Sequence, residues 1–263
     1  MECCETKNNI SEINKTKGAN KINKNIEIDE SIKINEKKIE DNRIEECIIQ
    51  NTLQTSSPFE KIDRNLTNVS RSICKIKIES KLGIIIGTGF LLKFNIDQEM
   101  FYCLISNEHV IKNDIIKNNN NINISYDNEF KYANIKLGNS KRYIKSFIDV
   151  GLDITIIEIL DEDNISKDYF LYPELESRIN NKLINNMIYI PQYAGGKDLV
   201  NARGKIKEIN KYEFTHLANT EKGSSGSPIF LENTTRVIGI HKEGDKLNKV
   251  NYGNFIYPII KDL

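Results

Sequence analysis

The sequence has no excess of charge of either sign. Its 263 residues include 37 Lys and Arg and 37 Asp and Glu, so the formal net charge at pH 7 is zero. Binding to nucleic acid or to an anionic membrane surface usually needs a basic excess or a basic face. We therefore expect neither nucleic acid nor a membrane among its partners, while composition says nothing about oligomeric state.

Long apolar runs are also missing. No stretch of the sequence approaches the roughly 18 apolar residues that a membrane-spanning helix needs. The opening residues, Met1-Glu2-Cys3-Cys4, lack the basic segment followed by an apolar segment that marks a secretory signal peptide. These absences predict a cytoplasmic protein.

Cysteine and histidine are scarce. Three histidines, and five cysteines without Cys-x-x-Cys spacing, favour neither a structural zinc site nor a disulfide framework. The cysteines are Cys3, Cys4, Cys47, Cys74 and Cys103. Cys74 and Cys103 fall in apolar segments, where we interpret them as small buried hydrophobic residues on strands. An intracellular, reduced protein is expected.

Aromatic residues are absent before Phe59. In residues 1–50, Ile, Asn, Lys and Glu fill 36 positions, and the isoleucines keep neither a helical nor a strand period. So few large side chains cannot offset the entropy of ordering the chain. We expect residues 1–65 to be a low-complexity, disordered tail and residues 66–263 to form the folded domain.

The folded domain has the pattern of β-structure. In residues 72–79 the apolar residues Cys74, Ile76 and Ile78 alternate with lysines, which predicts a half-buried strand. Eleven further short apolar segments follow, separated by turns rich in Gly, Asn and Asp, with helix limited to one turn at 108–112 and a short piece near 172–184. This arrangement predicts an all-β barrel or sandwich.

Residues 223–228, Gly-Ser-Ser-Gly-Ser-Pro, have the composition of a nucleophile loop. Gly223 and Gly226 allow a tight turn that leaves Ser225 accessible, and Pro228 fixes the exit into the next strand. The backbone N–H groups of Gly223 and Ser225 could converge as an oxyanion hole. The alternative is a Ser- and Gly-rich surface turn, which is common in β-proteins.

Two further segments end or begin strands with groups suited to acid–base chemistry. His109 follows the apolar segment at 103–106, and Asp153 directly precedes the apolar segment at 154–160. A carboxylate there can hold the second nitrogen of an imidazole. The alternatives are a structural histidine and a turn aspartate, and Asp149 is the neighbouring candidate for the acid.

Taken in order, these segments resemble the trypsin-like, chymotrypsin-fold serine proteases, closest in motif to glutamyl endopeptidases and to intracellular or viral trypsin-like peptidases. Five ordered motifs carry the resemblance: GTGFLL (87–92), SNEHV (106–110), DITIIEI (153–159), GSSGSPIF (223–230) and VIGIHKEG (237–244). It implies two six-stranded antiparallel β-barrels, at 66–170 and 185–263. His109 and Asp153 would lie on the first barrel and Ser225 on the second. Val110 stands where the secreted digestive branch has a disulfide cysteine.

The resemblance also implies a reaction. Ser225 would attack a peptide carbonyl of a protein or peptide substrate, His109 would transfer the proton and Asp153 would orient the imidazole. No metal or organic cofactor is needed. Two alternatives stay open: a catalytically inactive barrel pair used for protein binding, and an unrelated all-β binding module.

The resemblance extends to specificity. Proteases of this family that cut after Lys or Arg carry Asp six residues before the nucleophile, where this sequence has Asn219. Relatives that cut after Glu or Gln carry Thr or Ser five residues before it and His on a later strand, and Thr220 and His241 match those positions. This implies Glu or Gln at P1, the substrate residue before the cleaved bond. His216, on the preceding strand, could support His241 from the side away from the substrate. The alternative is that Thr220 is a turn residue and His241 a half-buried strand residue.

Overall fold

The computed structural model describes residue 59 and residues 67–80, 83–118, 121–148, 152–175 and 181–263. Apart from Phe59, the predicted tail at 1–65 lies outside the described residues, and so does Asp149. All the elements given below belong to one unit of the chain, Pro58–Leu263.

The first half of the described chain forms an antiparallel sheet of seven strands. Its strands are β1 (Ile73–Ser80), β2 (Gly83–Ile96), β3 (Glu99–Ser106), β4 (Asn121–Tyr126), β5 (Lys131–Lys136), β6 (Ile144–Phe147) and β7 (Ile154–Glu158). They lie in the order β5-β4-β1-β2-β3-β7-β6. Six strands were expected; the additional one, β5, is KYANIK, in which the apolar residues Tyr132, Ala133 and Ile135 do not alternate regularly with polar ones.

The alternation predicted for β1 is present. Cys74, Ile76 and Ile78 are buried on one face, and Lys77 is exposed on the other. Cys74 and Cys103 are both fully buried free thiols on strands, as predicted, and burial raises the pKa of each well above its usual value. These cysteines therefore serve as apolar packing residues.

The second half forms another sheet, which closes on itself. Its strands are β8 (Tyr172–Pro173), β9 (Met187–Gln192), β10 (Val200–Ile209), β11 (Glu213–His216), β12 (Pro228–Leu231), β13 (Arg236–Asp245) and β14 (Val250–Phe255). The order is β12-β9-β10-β11-β14-β13-β8, and pairing of β12 with β13 joins six of them into a barrel. The short β8 adds to β13 in parallel. The prediction of an all-β fold with two antiparallel β-barrels is confirmed as two antiparallel sheets, of which the second is a closed barrel of six strands.

Helices are few and short. They are α1 (Thr67–Ser70), α2 (Asn113–Lys117) and α3 (Tyr257–Lys261), with 3₁₀ turns at Asp161–Asp163, Lys167–Tyr169, Asn181–Leu183 and Ala194–Gly196. The last of the apolar segments that were predicted as strands, NFIYPII at 254–260, is a strand only as far as Phe255. Pro258 lies in the first turn of α3, where its missing N–H costs no hydrogen bond. No helix among the described residues has the length and apolarity to cross a membrane.

Three apolar clusters form the core. One lies within the first sheet and one within the second barrel, around Leu104 and Phe214 respectively. The third contains residues of both sheets, such as Phe90 and Ile154 from the first and Tyr189 and Phe230 from the second. This shared cluster fixes the two sheets against each other, which allows residues from both to contribute to one site.

Candidate active site

His109 and Asp153 form a hydrogen-bonded pair. His109 lies in the turn after β3, and its Nδ1 is 2.5 Å from Oδ2 of Asp153, which directly precedes β7. The backbone N–H of His109 donates to the other carboxylate oxygen at 2.9 Å. Because β3 and β7 are neighbours in the sheet, the two strand ends bring these residues together. The imidazole stays accessible, with 44% of its side-chain surface exposed.

The carboxylate of Asp153 is held in its charged form. Burial alone would raise its pKa, but hydrogen bonds from the side chain and backbone of His109 and from the backbone of Glu108 outweigh that effect. The pKa of Asp153 therefore lies below its ordinary value. Asn107 anchors the backbone there, since its side-chain amide donates to the Asp153 carbonyl at 2.6 Å. Sequence reasoning missed Asn107, because its partner is 46 residues away.

The loop at 223–228 has the conformation that its glycines suggested. Gly223 and Gly226 have φ of 97° and 88°, a region that side chains other than glycine rarely adopt. A Cβ on Gly226 would lie 2.0 Å from the carbonyl oxygen of Thr88. A Cβ on Gly223 would lie 2.7 Å from the carbonyl oxygen of Tyr193. Both glycines are therefore required by conformation and by close approach.

Two backbone amides of this loop are free to bind a ligand. Among the described residues, the N–H groups of Gly223 and Ser225 have no acceptor, whereas Ser224, Gly226 and Ser227 all donate. The peptides that carry the free amides are fixed from their carbonyl side. Gly195 N–H donates to the carbonyl of Lys222 at 2.7 Å, and Ser227 Oγ donates to that of Ser224 at 2.6 Å. Because the peptide is planar and trans, fixing each carbonyl also fixes the direction of the N–H that follows.

Thr88 of β2 connects this loop to the first sheet. Its hydroxyl donates to the carbonyl of Gly223 at 2.7 Å, and its N–H donates to the carbonyl of Ser225 at 2.9 Å. The same hydroxyl accepts the N–H of Tyr193 at 3.1 Å. Sequence reasoning singled out GTGFLL only as a motif; the position of Thr88 between two glycines was the available signal.

A cavity of about 500 Å³ opens beside Ser225. Thr220 and His241 both line it. The Thr220 hydroxyl donates to Oδ1 of Asn251 at 2.8 Å, and Asn251 donates in turn to the carbonyl of Ala218 at 2.8 Å. The predicted pocket residues therefore share one cavity with the predicted nucleophile, and Asn251 is a further lining residue that sequence reasoning missed.

His241 is backed by a second buried histidine. Nε2 of His216 lies 3.3 Å from Nδ1 of His241, and both rings are almost completely buried. Burial lowers the pKa of His241 to about 4, although a backbone contact with Tyr252 acts in the opposite direction. Burial also lowers the pKa of His216 well below its usual value, and nearby His241 adds to this effect. Both imidazoles are therefore neutral near pH 7.

Ser225 is not hydrogen bonded to His109. Among the described residues its hydroxyl has no hydrogen-bond partner, although the loop that carries it is fixed on both sides. Catalytic hydrogen bonds are often long before substrate binds and shorten in the complex. The site thus contains the hydrogen-bonded pair of His109 and Asp153, a partly exposed serine, two backbone amides without an acceptor in the described part of the chain and a polar cavity.

Comparison with known proteins assigns the class. A family model of the trypsin-like peptidase domain matches residues 87–240, more than half of the chain. The fold and this match together define the class, a serine-type peptidase. The chain belongs to the trypsin-like peptidase family. A search of curated protein sequences finds no match.

Solved structures share the fold at low sequence identity. A serine endoprotease from Yersinia pestis matches with a TM-score of 0.55 and 12% identity, over 77% of this chain and 66% of that one. A Glu endopeptidase matches with a TM-score of 0.56 and 18% identity, over 79% of this chain and 96% of that one. The active form of the Rv3671c protease of M. tuberculosis matches with a TM-score of 0.54 and 15% identity, over 79% of this chain and 89% of that one. The chain thus spans just under two thirds of the Yersinia protein.

Proposed function

We propose that the chain cleaves peptide bonds after Glu or Gln through a triad of His109, Asp153 and Ser225. The observation that carries this proposal is the shared cavity, in which Thr220 and His241 lie beside Ser225. One structural neighbour is a Glu endopeptidase. The match to the trypsin-like peptidase family supplies the reaction class.

The reaction proceeds through an acyl-enzyme. Ser225 Oγ attacks the carbonyl carbon while His109 accepts the hydroxyl proton at Nε2, and Asp153 stabilises the resulting imidazolium through Nδ1. Collapse of the tetrahedral intermediate breaks the C–N bond, and His109 returns the proton to the departing amine. Water then attacks the ester, His109 again transfers the proton, and the acid product and free Ser225 are released.

The free amides of Gly223 and Ser225 act as the oxyanion hole. They are already oriented before substrate arrives, because the preceding carbonyls are held by Gly195 and Ser227. Donors that are fixed in advance stabilise developing charge without reorganisation, and one such donor contributes roughly 3–4 kcal/mol in comparable sites.

The cavity selects the P1 side chain by a neutral donor, the imidazole of His241. If His216 donates to Nδ1 of His241, the remaining hydrogen of His241 is on Nε2, where a side-chain carbonyl or carboxylate oxygen of P1 accepts it. A substrate that lacks this acceptor leaves a buried donor unpaired, which is costly. Because His241 is neutral near pH 7, Gln fits the cavity as well as Glu does.

Two experiments test the proposal. A fluorophosphonate probe should label the protein but not Ser225→Ala, and a peptide library should be cut after Glu or Gln. His241→Ala should lose this P1 preference. Cleavage mainly after Lys, Arg or large aromatic residues, or an unchanged preference in His241→Ala, would contradict the specificity. Absence of labelling would favour the alternative of a catalytically inactive, protein-binding barrel pair.

A further inference from the structure

A second hollow lies on the outer face of the first sheet. It has a volume of about 450 Å³, and its lining includes Lys75, Lys77, Asn123 and Tyr132. None of the residues that line it also lines the cavity beside Ser225, and those of the two cavities come from different sheets. The reaction described above uses no residue of this hollow.

The strand register connects the hollow directly to the nucleophile loop. Thr88, Lys75, Ser125 and Tyr132 are successive cross-strand partners on β2, β1, β4 and β5. Cross-strand partners project from the same face of a sheet. The row therefore begins at Thr88, which holds the carbonyls of Gly223 and Ser225, and ends at Tyr132 inside the hollow.

A parallel row beside it begins with an exposed apolar residue. Ile86, Lys77, Asn123 and Asn134 are partners on the same four strands. Ile86 is 42% exposed. A Cβ on Gly196 would lie 3.2 Å from Cγ2 of Ile86, so Ile86 borders the turn that also contacts Gly223. Thr88 and Ser125 are buried, so the accessible surface of these rows runs from Ile86 past the two lysines to Tyr132; we call it the leaving-side face.

The cations of this face are already neutralised. Nζ of Lys75 lies 3.1 Å from both carboxylate oxygens of Glu129, and Nζ of Lys77 lies 3.2 Å from Glu79. What the face offers beyond these pairs is the aliphatic surface of Ile86 and the ring of Tyr132, which is 74% exposed. Such a surface suits an uncharged aromatic or large aliphatic side chain.

The direction in which a bound substrate runs determines which of its residues can reach the leaving-side face. The proposed function places the P1 side chain in the cavity of the second barrel. In that arrangement the peptide that follows the scissile bond would leave Ser225 towards Thr88 of β2, whose N–H donates to the carbonyl of Ser225. Four strands spaced about 4.8 Å apart span roughly 14 Å, which an extended peptide covers in about four residues. The hollow is therefore within reach of the third to fifth residues after the scissile bond.

We propose that the leaving-side face is a substrate-binding surface that selects an aromatic or large aliphatic side chain three to five residues after the scissile bond. This inference rests on the proposed function for the position of the scissile bond. Tyr132 and Ile86 are its specificity residues, and they act on binding of the leaving peptide rather than on proton transfer.

Quenched peptides with Glu or Gln at P1 test the inference. Each should carry Phe or Gly at one position between the third and fifth after the bond. In the unaltered protein, Phe at one of these positions should raise kcat/KM about tenfold over Gly, the equivalent of about 1.4 kcal/mol of binding energy. Tyr132→Ala should reduce this advantage to about twofold, which leaves less than about 0.5 kcal/mol.

The matched control is Phe130→Ala. Phe130 is an aromatic residue of the neighbouring turn with 80% exposure, and it does not line the hollow. The Phe-over-Gly advantage should persist in this variant. Equal advantages in Tyr132→Ala and in the unaltered protein, or no advantage at any of the three positions, would overturn the inference.

A binding measurement separates this inference from the proposed function. The affinity of the same peptides for Ser225→Ala, with and without Tyr132→Ala, can be followed by fluorescence anisotropy. Loss of the Phe preference on adding Tyr132→Ala supports the leaving-side face even if the unaltered protein cleaves nothing. Cleavage after Glu or Gln without any Phe preference in binding would support the proposed function and overturn the inference.

Discussion

The hydroxyl of Thr88 in the first sheet donates a 2.7 Å hydrogen bond to the carbonyl of Gly223 in the nucleophile loop of the second. The same hydroxyl accepts the N–H of Tyr193, and all three groups are buried. Thr88→Val keeps the shape of the side chain but leaves the N–H of Tyr193 and the carbonyl of Gly223 without a partner. Each unpaired group costs about 1–3 kcal/mol of stability. We expect lower stability to urea and a kcat/KM reduced by at least about tenfold, because the loop loses its anchor.

Thr88→Ser is the matched control. It keeps the hydroxyl and removes only a methyl group, so it should keep most of the activity of the unaltered protein. If Thr88→Val and Thr88→Ser were equally active, the hydrogen bond to Gly223 would have no role in positioning the loop.

The identity of the catalytic acid gives a second prediction. Because Asp153 binds both Nδ1 and the backbone N–H of His109, Asp153→Asn should lower kcat by about 10⁴ through the wrong imidazole tautomer. Asp149→Asn should leave kcat almost unchanged. Steady-state kinetics of the two variants decides between them, and the reverse order of effects would show that Asp149 is the acid.

The sequence allowed prediction of those features that depend on local patterns. The alternation in β1, the positive-φ glycines of the nucleophile loop and the placement of His109 and Asp153 at strand ends all follow from neighbouring residues. The all-β class followed in the same way, whereas the arrangement in two barrels followed from the resemblance to trypsin-like proteases.

Features that depend on distant partners could not be predicted. Thr88 contacts Gly223 across 135 residues, and no local pattern marks such a bond. The hollow around Tyr132 depends on the register of four strands, one of which, β5, has no regular alternation of apolar and polar residues. The neutral state of His241 depends on its burial in the folded barrel.

The boundary of the predicted tail gives a third prediction. Phe59 packs against the apolar cluster of the second barrel, which includes Leu183 and Ile188. Chains beginning at residue 58 and at Asn65 should both fold and cleave substrate. The shorter chain should be less stable by about 1–2 kcal/mol, because it lacks the contact of one partly buried aromatic ring. Thermal melts of the two chains measure this, and equal melting temperatures would mean that Phe59 contributes nothing.

The buried histidines give a fourth prediction, on stability. The pKa values of His216 and His241 are lowered by burial, so below pH 6.5 the unfolded chain binds protons that the folded protein does not. Stability is therefore lost as pH falls from about 6.5 towards 4, by up to about 1.4 kcal/mol per pH unit for each histidine. Urea unfolding at pH 7.5 and 5.0 should give a smaller loss in His216→Phe. An equal loss would exclude His216 as a source of the acid sensitivity.

The balance between Glu and Gln at P1 gives the last prediction. With a pKa of about 4, His241 is neutral at pH 7.5, so a P1 carboxylate gains little over a carboxamide there. As pH falls towards 5.5, the protonated form of His241 becomes easier to populate, and a bound carboxylate favours it further by raising the histidine pKa. We therefore expect the ratio of kcat/KM for Glu over Gln peptides to rise as pH falls, with His109 affecting both substrates equally. A large Glu preference that stays constant from pH 5.5 to 8.5 would mean that a permanent cation, and not His241, balances the charge of the substrate.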